Sequence, residues 1–176
     1  TLIELEAGTQ LLHYFAGPSQ AQLLLSGSGG YGFIAQVGDM ISRQRGGKAF
    51  ITCNARETVC APSYIGGTSG SVPVPEATHI ACASAGGRLL TFPIGELRTM
   101  PNGGRGLMLM SLEDKDVLIG AAAYTRSIRV QGTGRGGKPR EETLEIRSLN
   151  NAAAARGRKG KAADWGFKPQ RIGRIE

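Results

Sequence analysis

The sequence predicts an all-β fold: a radial, propeller-like array of about three to four four-stranded blades, the first incomplete. Three observations predict it. The chain repeats itself at an offset of 57 residues, which carries Gly30 onto Gly87, Val37-Gly38-Asp39-Met40 onto Ile94-Gly95-Glu96-Leu97, and Gly46-Gly47-Lys48-Ala49-Phe50 onto Gly103-Gly104-Arg105-Gly106-Leu107 without a gap. The apolar runs are short and bounded by glycine- and serine-rich turns, the signature of hairpins. A lone unit of about four strands cannot cover both its faces, so units repeating at this length must pack on one another.

In order along the chain, Leu2-Ile3-Glu4-Leu5-Glu6 alternates apolar and charged, Ala7-Gly8-Thr9 turns, and Gln10-Leu11-Leu12-His13-Tyr14-Phe15 reads as a second strand. The same order returns in Met110-Ser111-Leu112-Glu113 and Val117-Leu118-Ile119, so residues 1–20 read as the end of a repeat, followed by units at 21–77, 78–124 and 125–176 within one domain of 176 residues. Leu23-Leu24-Leu25 with Tyr31-Gly32-Phe33-Ile34, and Ile80-Ala81-Cys82-Ala83 with Arg88-Leu89-Leu90-Thr91-Phe92, read as equivalent hairpins. The third hairpin starts at Ser127-Ile128-Arg129-Val130-Gln131 and has a longer basic tip over residues 132–140. Residues 142–155 read as a helical turn or two, Val72-Pro73-Val74-Pro75 as an extended connector unfit for a central strand, and Leu107-Met108-Leu109-Met110 as a strand buried on both faces.

Size and composition remove several function classes. A chain this long buries an adequate core without a disulfide or a metal. Cys53, Cys60 and Cys82 are odd in number, lack Cys-x-x-Cys spacing and have only His13 and His79 as possible co-ligands, so the reading is three reduced, buried thiols. No apolar run approaches the roughly 20 residues that span a bilayer, and no signal-type segment is present, so a cytoplasmic location is expected and no membrane partner. The net charge of +7 is unevenly placed: residues 1–87 carry four Lys/Arg against five Asp/Glu, residues 88–176 seventeen against nine. Such asymmetry points to a polyanion, because clustered cations gain affinity by displacing counterions from phosphates.

The glycine-rich look-alikes of nucleotide sites are hairpin turns. Gly27-Ser28-Gly29-Gly30-Tyr31-Gly32 and Gly132-Thr133-Gly134-Arg135-Gly136-Gly137 open no helix, and Pro139 stands where a phosphate loop needs a hydroxyl for Mg²⁺. Neither histidine is spaced to a Ser or Cys as a base to a nucleophile. No cofactor is expected. The basic turns are different, since the repeat places Arg43, Arg45 and Lys48, then Arg105, then Arg156, Arg158, Lys159 and Lys161 at equivalent positions around one rim. With Arg88, Arg129, Arg135, Lys138 and Arg140 they form the expected DNA-binding set. It suits phosphate contacts rather than base reading, because no helix suited to the major groove and no aromatic platform accompanies it.

Gly30-Tyr31-Gly32-Phe33, residues 43–50, Leu89-Leu90-Thr91-Phe92-Pro93-Ile94-Gly95-Glu96-Leu97 and residues 127–160 resemble the C-terminal domain of the A subunit of bacterial DNA topoisomerase IV, whose close paralogue is the gyrase A subunit. The resemblance implies a β-pinwheel, a propeller variant in which strands are exchanged within or between adjacent blades. It also implies a non-catalytic accessory that binds and bends duplex DNA along its basic rim and sets the topological preference of an ATP-dependent type II enzyme. Its partners would be the ATPase B subunit together with the rest of the A subunit. The cleavage tyrosine would lie outside this chain; Ala121-Ala122-Ala123-Tyr124-Thr125 has Ala123 where that site needs Arg. Gyrase carries Gln-Arg-Arg-Gly-Gly-Lys-Gly in its first blade, and Arg43-Gln44-Arg45-Gly46-Gly47-Lys48-Ala49 is a degenerate form, which favours topoisomerase IV over a gyrase-type wrapping domain. DNA wrapping weaker than that of gyrase is expected. An RNA-binding module, from the Gly/Arg-rich tip, is the reading of a different class.

Overall fold

The computed structural model describes residues 8–44, 46–69 and 72–175. The first hairpin joins β1 (Gln22–Ser26) to β2 (Tyr31–Gln36), and β2 runs into a single helical turn, α1 (Val37–Met40). Then come β3 (Ser63–Ser69) and β4 (Val72–Val74). The second hairpin, β5 (His79–Ser84) and β6 (Arg88–Pro93), leads into a 3-10 turn at Ile94–Glu96, followed by β7 (Leu107–Met108) and β8 (Leu118–Tyr124). The third pairs β9 (Ser127–Thr133) with β10 (Pro139–Glu145) across a 3-10 turn at Arg135–Gly137, then passes α2 (Ile146–Asn150), β11 (Lys161–Ala162) and β12 (Lys168–Arg174).

These strands form three antiparallel sheets, β4-β3-β1-β2-β7, β11-β6-β5-β8 and β10-β9-β12. The 57-residue offset is kept to the residue: Leu23 faces Ala35 and Leu24 faces Ile34 in the first hairpin, Ile80 faces Phe92 and Ala81 faces Thr91 in the second. In each sheet the first hairpin strand also pairs with a later strand of its own repeat, β1 with β3, β5 with β8 and β9 with β12.

The other edge is filled from the next repeat. Tyr31 pairs with Met108 and Gly32 with Leu107; one blade later Arg88 pairs with Ala162 and Leu89 with Lys161. Single parallel bridges repeat the exchange, Ile34 with Thr99 and Thr91 with Ala153. Together these pairs show that the second and third repeats are offset by 54 residues beyond their helical turns, not by 57. The first and second blades are therefore each completed by a strand from the repeat that follows, an exchange between adjacent blades of the kind the sequence resemblance included.

Strand alternation distributes the core. On β5, Ile80 and Cys82 point into the cluster shared with the first sheet, Ala81 and Ala83 into the cluster shared with the third. On β8, Ala121 and Ala123 turn one way and Ala122 and Tyr124 the other. The middle sheet is apolar on both faces, and its run of alanines lets the flanking sheets approach closely. Leu23, Leu25, Phe33 and Ala35 of the first sheet face the opposite way, against Phe50, Ile51 and Tyr64. In the third sheet Ile128 and Val130 point inward while Arg129 is exposed and Gln131 half-buried.

Four sequence expectations change. Residues 1–7 lie outside the described residues, and Gln10–Phe15 is an exposed irregular segment, not a strand; its Phe15 ring lies 5.7 Å from the Tyr64 ring. Residues 72–74 do form a strand, but an edge strand, the one place in a sheet where a proline such as Pro73 is tolerated. Residues 107–110 hold a strand of only two residues, with Met108 exposed and Leu109 and Met110 buried beyond it. Residues 142–145 extend β10 rather than starting a helix, and α2 ends at Asn150, before the alanine run, because residues 152–154 are taken by β6: Thr91 donates to the Ala152 carbonyl and accepts from Ala154.

Candidate nucleic-acid interface

The three basic turns abut. The chain leaving the first turn bonds to the second, with Thr52 N–H donating to the Gly104 carbonyl and Gly104 N–H to the Phe50 carbonyl. The chain leaving the second bonds to the third, with Gly157 N–H donating to the Leu109 carbonyl and Ser111 N–H to the Arg158 carbonyl. The turns thus form a continuous series along the edge where the blades exchange strands.

Glycine fixes how tightly each turn lies against the blade before it. Gly106 has φ 82° and an added Cβ would stand 2.3 Å from the Gly32 carbonyl oxygen; Gly160 has φ 72° and a Cβ there would stand 2.5 Å from the Leu89 carbonyl oxygen. The equivalent position in the first turn is Ala49, which has no preceding described blade to press against and keeps a negative φ. The loss of glycine from this turn, legible in the sequence, therefore has a packing reason.

The cations divide by what already holds them. Lys48 donates to the Asp39 backbone carbonyl and sits 5.2 Å from the centroid of the Phe50 ring, so it folds back on its own blade. Arg105 is fixed between blades: its Nη2 lies 2.9 Å from Glu57 Oε1 and its guanidinium 4.2 Å above the Tyr31 ring. Arg88 donates to Glu113 at 2.6 Å and to the Gly160 carbonyl at 3.4 Å. Arg156 donates from Nη1 to the Met108 carbonyl at 2.6 Å, while its N–H bonds Glu96 at 2.9 Å, which pins the third turn to β7.

Arg43, Arg158 and Lys161 are exposed and have no side-chain partner among the described residues; Lys159 is exposed and stands 3.8 Å from Glu113. Arg45 lies outside the described residues. Arg135, Lys138 and Arg140 are exposed on and beside the tip of the third hairpin, and Arg129 is 3.8 Å from Glu141. No bond among the described residues links that tip to the series of turns.

The partners Glu57, Glu113 and Tyr31 were not singled out in the sequence. A signal existed: an acid recurs at an offset of 56, Glu57 to Glu113, next to the repeat that carries the cations.

Tyr124 is 1% exposed on β8, and burial raises its pKa, with the Thr91 hydroxyl partly opposing the shift. Burial also pushes the Cys60 thiol up to about 11 and Cys82 further in the same direction. Among the described residues no group of three or more His, Cys, Asp or Glu is placed to hold a metal ion. No described helix is long and apolar enough to cross a membrane.

The fold and its series of glycine-rich turns match a known class. Residues 78–124 fit the family model described as the DNA gyrase C-terminal domain, a β-propeller. The E. coli ParC C-terminal domain superposes with a TM-score of 0.71 at 23% identity, over 89% of this chain and 61% of that one. A DNA gyrase A C-terminal domain gives 0.62 at 18% identity, over 86% and 47%. The fold thus belongs to the β-pinwheel class.

Within that class the chain resembles the topoisomerase IV A subunit over nearly its whole length. It is 35% identical to the A subunit of DNA topoisomerase 4 from Neisseria gonorrhoeae over 92% of its residues, and 27% identical to that from Escherichia coli K12 over 99%. It spans 20% and 22% of the length of those two relatives.

Proposed function

We propose that this chain is a DNA-binding accessory domain of a topoisomerase IV A subunit, which holds and bends a duplex segment along its series of basic turns and so biases which DNA crossings the whole enzyme handles. The observation that carries the reading is the continuity of the turns: consecutive hydrogen bonds set them side by side, with Arg43, Arg158, Lys159 and Lys161 exposed along them. Spaced cations on a curved edge contact phosphates of successive turns of a duplex and read no bases.

The domain takes no chemical step in this reading. Tyr124 is buried on a strand and held in its neutral form, so it does not serve as a nucleophile. Strand cleavage belongs to the rest of the A subunit, ATP turnover to the B subunit, in the cytoplasm beside the nucleoid. Binding by Lys and Arg needs neither metal nor cofactor. The test is the affinity of the chain for supercoiled, relaxed and linear duplex at two salt concentrations, with RNA as competitor. Sequence-independent binding that weakens steeply with salt and resists RNA competition supports the reading. Preference for RNA would replace it by the RNA-binding alternative.

A further inference from the structure

The basic residue that follows Gly46-Gly47, Gly103-Gly104 and, in the third turn, Gly157-Arg158 is Lys48, Arg105 or Lys159; it occurs once per blade at one structural position, yet its three copies are held differently. At the junction of the first and second blades, Arg105 reaches back to Glu57 at 2.9 Å and lies 4.2 Å over the Tyr31 ring, with its side chain 32% and that of Glu57 16% exposed. Glu57 is itself positioned, accepting from Asn54 N–H at 2.8 Å and from Asn54 Nδ2 at 3.2 Å.

At the next junction, Arg88 occupies the place of Tyr31. It takes Glu113 Oε1 at 2.6 Å, and Lys159 is left 3.8 Å from the same oxygen with its side chain 61% exposed. An ion pair so long and so open to water holds its lysine weakly.

We propose that Arg105 is an interblade latch kept off DNA by Glu57 and Tyr31, whereas Lys159, displaced from its carboxylate by Arg88, is the copy available to phosphate. The residue at the first position of the second hairpin strand thus decides, blade by blade, whether the turn cation joins blades or contacts DNA. A cation already neutralised by a carboxylate displaces no counterion from the duplex, so of these two cations Lys159 contributes to the salt dependence of binding and Arg105 does not. Glu57 acts through Arg105 and is a positioning residue. The inference deepens the DNA-binding reading and rests on it.

The experiment measures the slope of log affinity against log salt for a linear duplex, together with thermal unfolding, in the unsubstituted chain, Lys159→Ala, Arg105→Ala, Glu57→Gln and Glu57→Gln/Arg105→Ala. Each phosphate contact adds about 0.9 to the slope. Lys159→Ala is expected to flatten it by about 0.9 with little change in unfolding temperature. Arg105→Ala should lower the unfolding temperature and leave the slope alone. Glu57→Gln should steepen the slope by up to about 0.9, and adding Arg105→Ala should return it to the starting value.

If Glu57→Gln does not fold, the contrast between Arg105→Ala and Lys159→Ala decides. Equal flattening by those two, or a folded Glu57→Gln chain with an unchanged slope, would overturn the latch alone. No salt-dependent binding by the unsubstituted chain would overturn the DNA reading and the latch with it.

Discussion

Replacing Gly106 by alanine tests the strand exchange on which the array depends. Gly106 has φ 82°, and the new methyl would sit 2.3 Å from the Gly32 carbonyl oxygen, on the strand that receives β7. The left-handed conformation alone costs a non-glycine residue about 1–2 kcal/mol. The methyl contact is with backbone, so relief requires β7 to move off β2, and the total should reach about 2–4 kcal/mol. In a chain of this size that corresponds to a fall in Tm of roughly 5–15 °C.

Gly47→Ala is the matched control, because Gly47 has φ 75° but nothing within 4 Å of the added Cβ. It should cost only the conformational share, about 1 kcal/mol, or roughly 2–4 °C. Gly160→Ala should follow Gly106→Ala, since its methyl would meet the Leu89 carbonyl at 2.5 Å. Thermal melts of the three variants by circular dichroism make the comparison. Equal, small shifts for Gly106→Ala and Gly47→Ala would refute the argument that the turn is clamped on the preceding blade.

Other outcomes follow from burial and charge. With the thiols of Cys60 and Cys82 pushed up by burial, their reactive thiolate is scarce at neutral pH, so native alkylation at pH 8 should modify half-buried Cys53 first and reach the other two only on unfolding; equal rates for Cys82 and Cys53 would contradict this. Tyr124→Phe should leave duplex affinity unchanged, and a loss measured by fluorescence anisotropy would contradict the buried, non-contacting role. Smooth bending of a 20–30 base-pair site costs about 1–6 kcal/mol, and with Lys48 and Arg105 engaged within the protein the cationic contacts are concentrated on the third turn. Nicked plasmid ligated around the domain should therefore show only a small linking-number change; a large, positive, stoichiometric shift would mean gyrase-like wrapping.

The hairpins were legible because period-two alternation and glycine turns are local signals. The 57-residue offset made the two hairpins equivalent, and the pairing of Leu24 with Ile34 is matched by that of Ala81 with Thr91. The donation was not legible: residues 107–110 read as a strand but not as one lent to the preceding blade, and β11, two residues long, carries no period. The 54-residue offset of the third repeat was hidden for the same reason: it emerges from pairings between repeats, Ala162 with Arg88, Lys161 with Leu89 and Ala153 with Thr91. Gln10–Phe15 has strand-like residues but no strand to pair with, and β-propensity without a partner does not make a sheet. At the site, the cations could be read from the chain. Their partners could not, since Glu57 and Arg105 lie 48 residues apart and meet only across a blade junction.

Replacing Arg158, Lys159 and Lys161 together by alanine tests most directly whether the exposed cations of the abutting turns contact duplex phosphates. All three are exposed, and the bond that pins this turn comes from Arg156, which stays in place. If these cations do contact phosphates, the variant will unfold at a temperature close to that of the unsubstituted chain and bind every duplex sequence more weakly. Its salt slope will be flatter by up to about 2.7, at about 0.9 per lost phosphate contact. A folded variant with unchanged affinity and unchanged slope would contradict the phosphate-contact role.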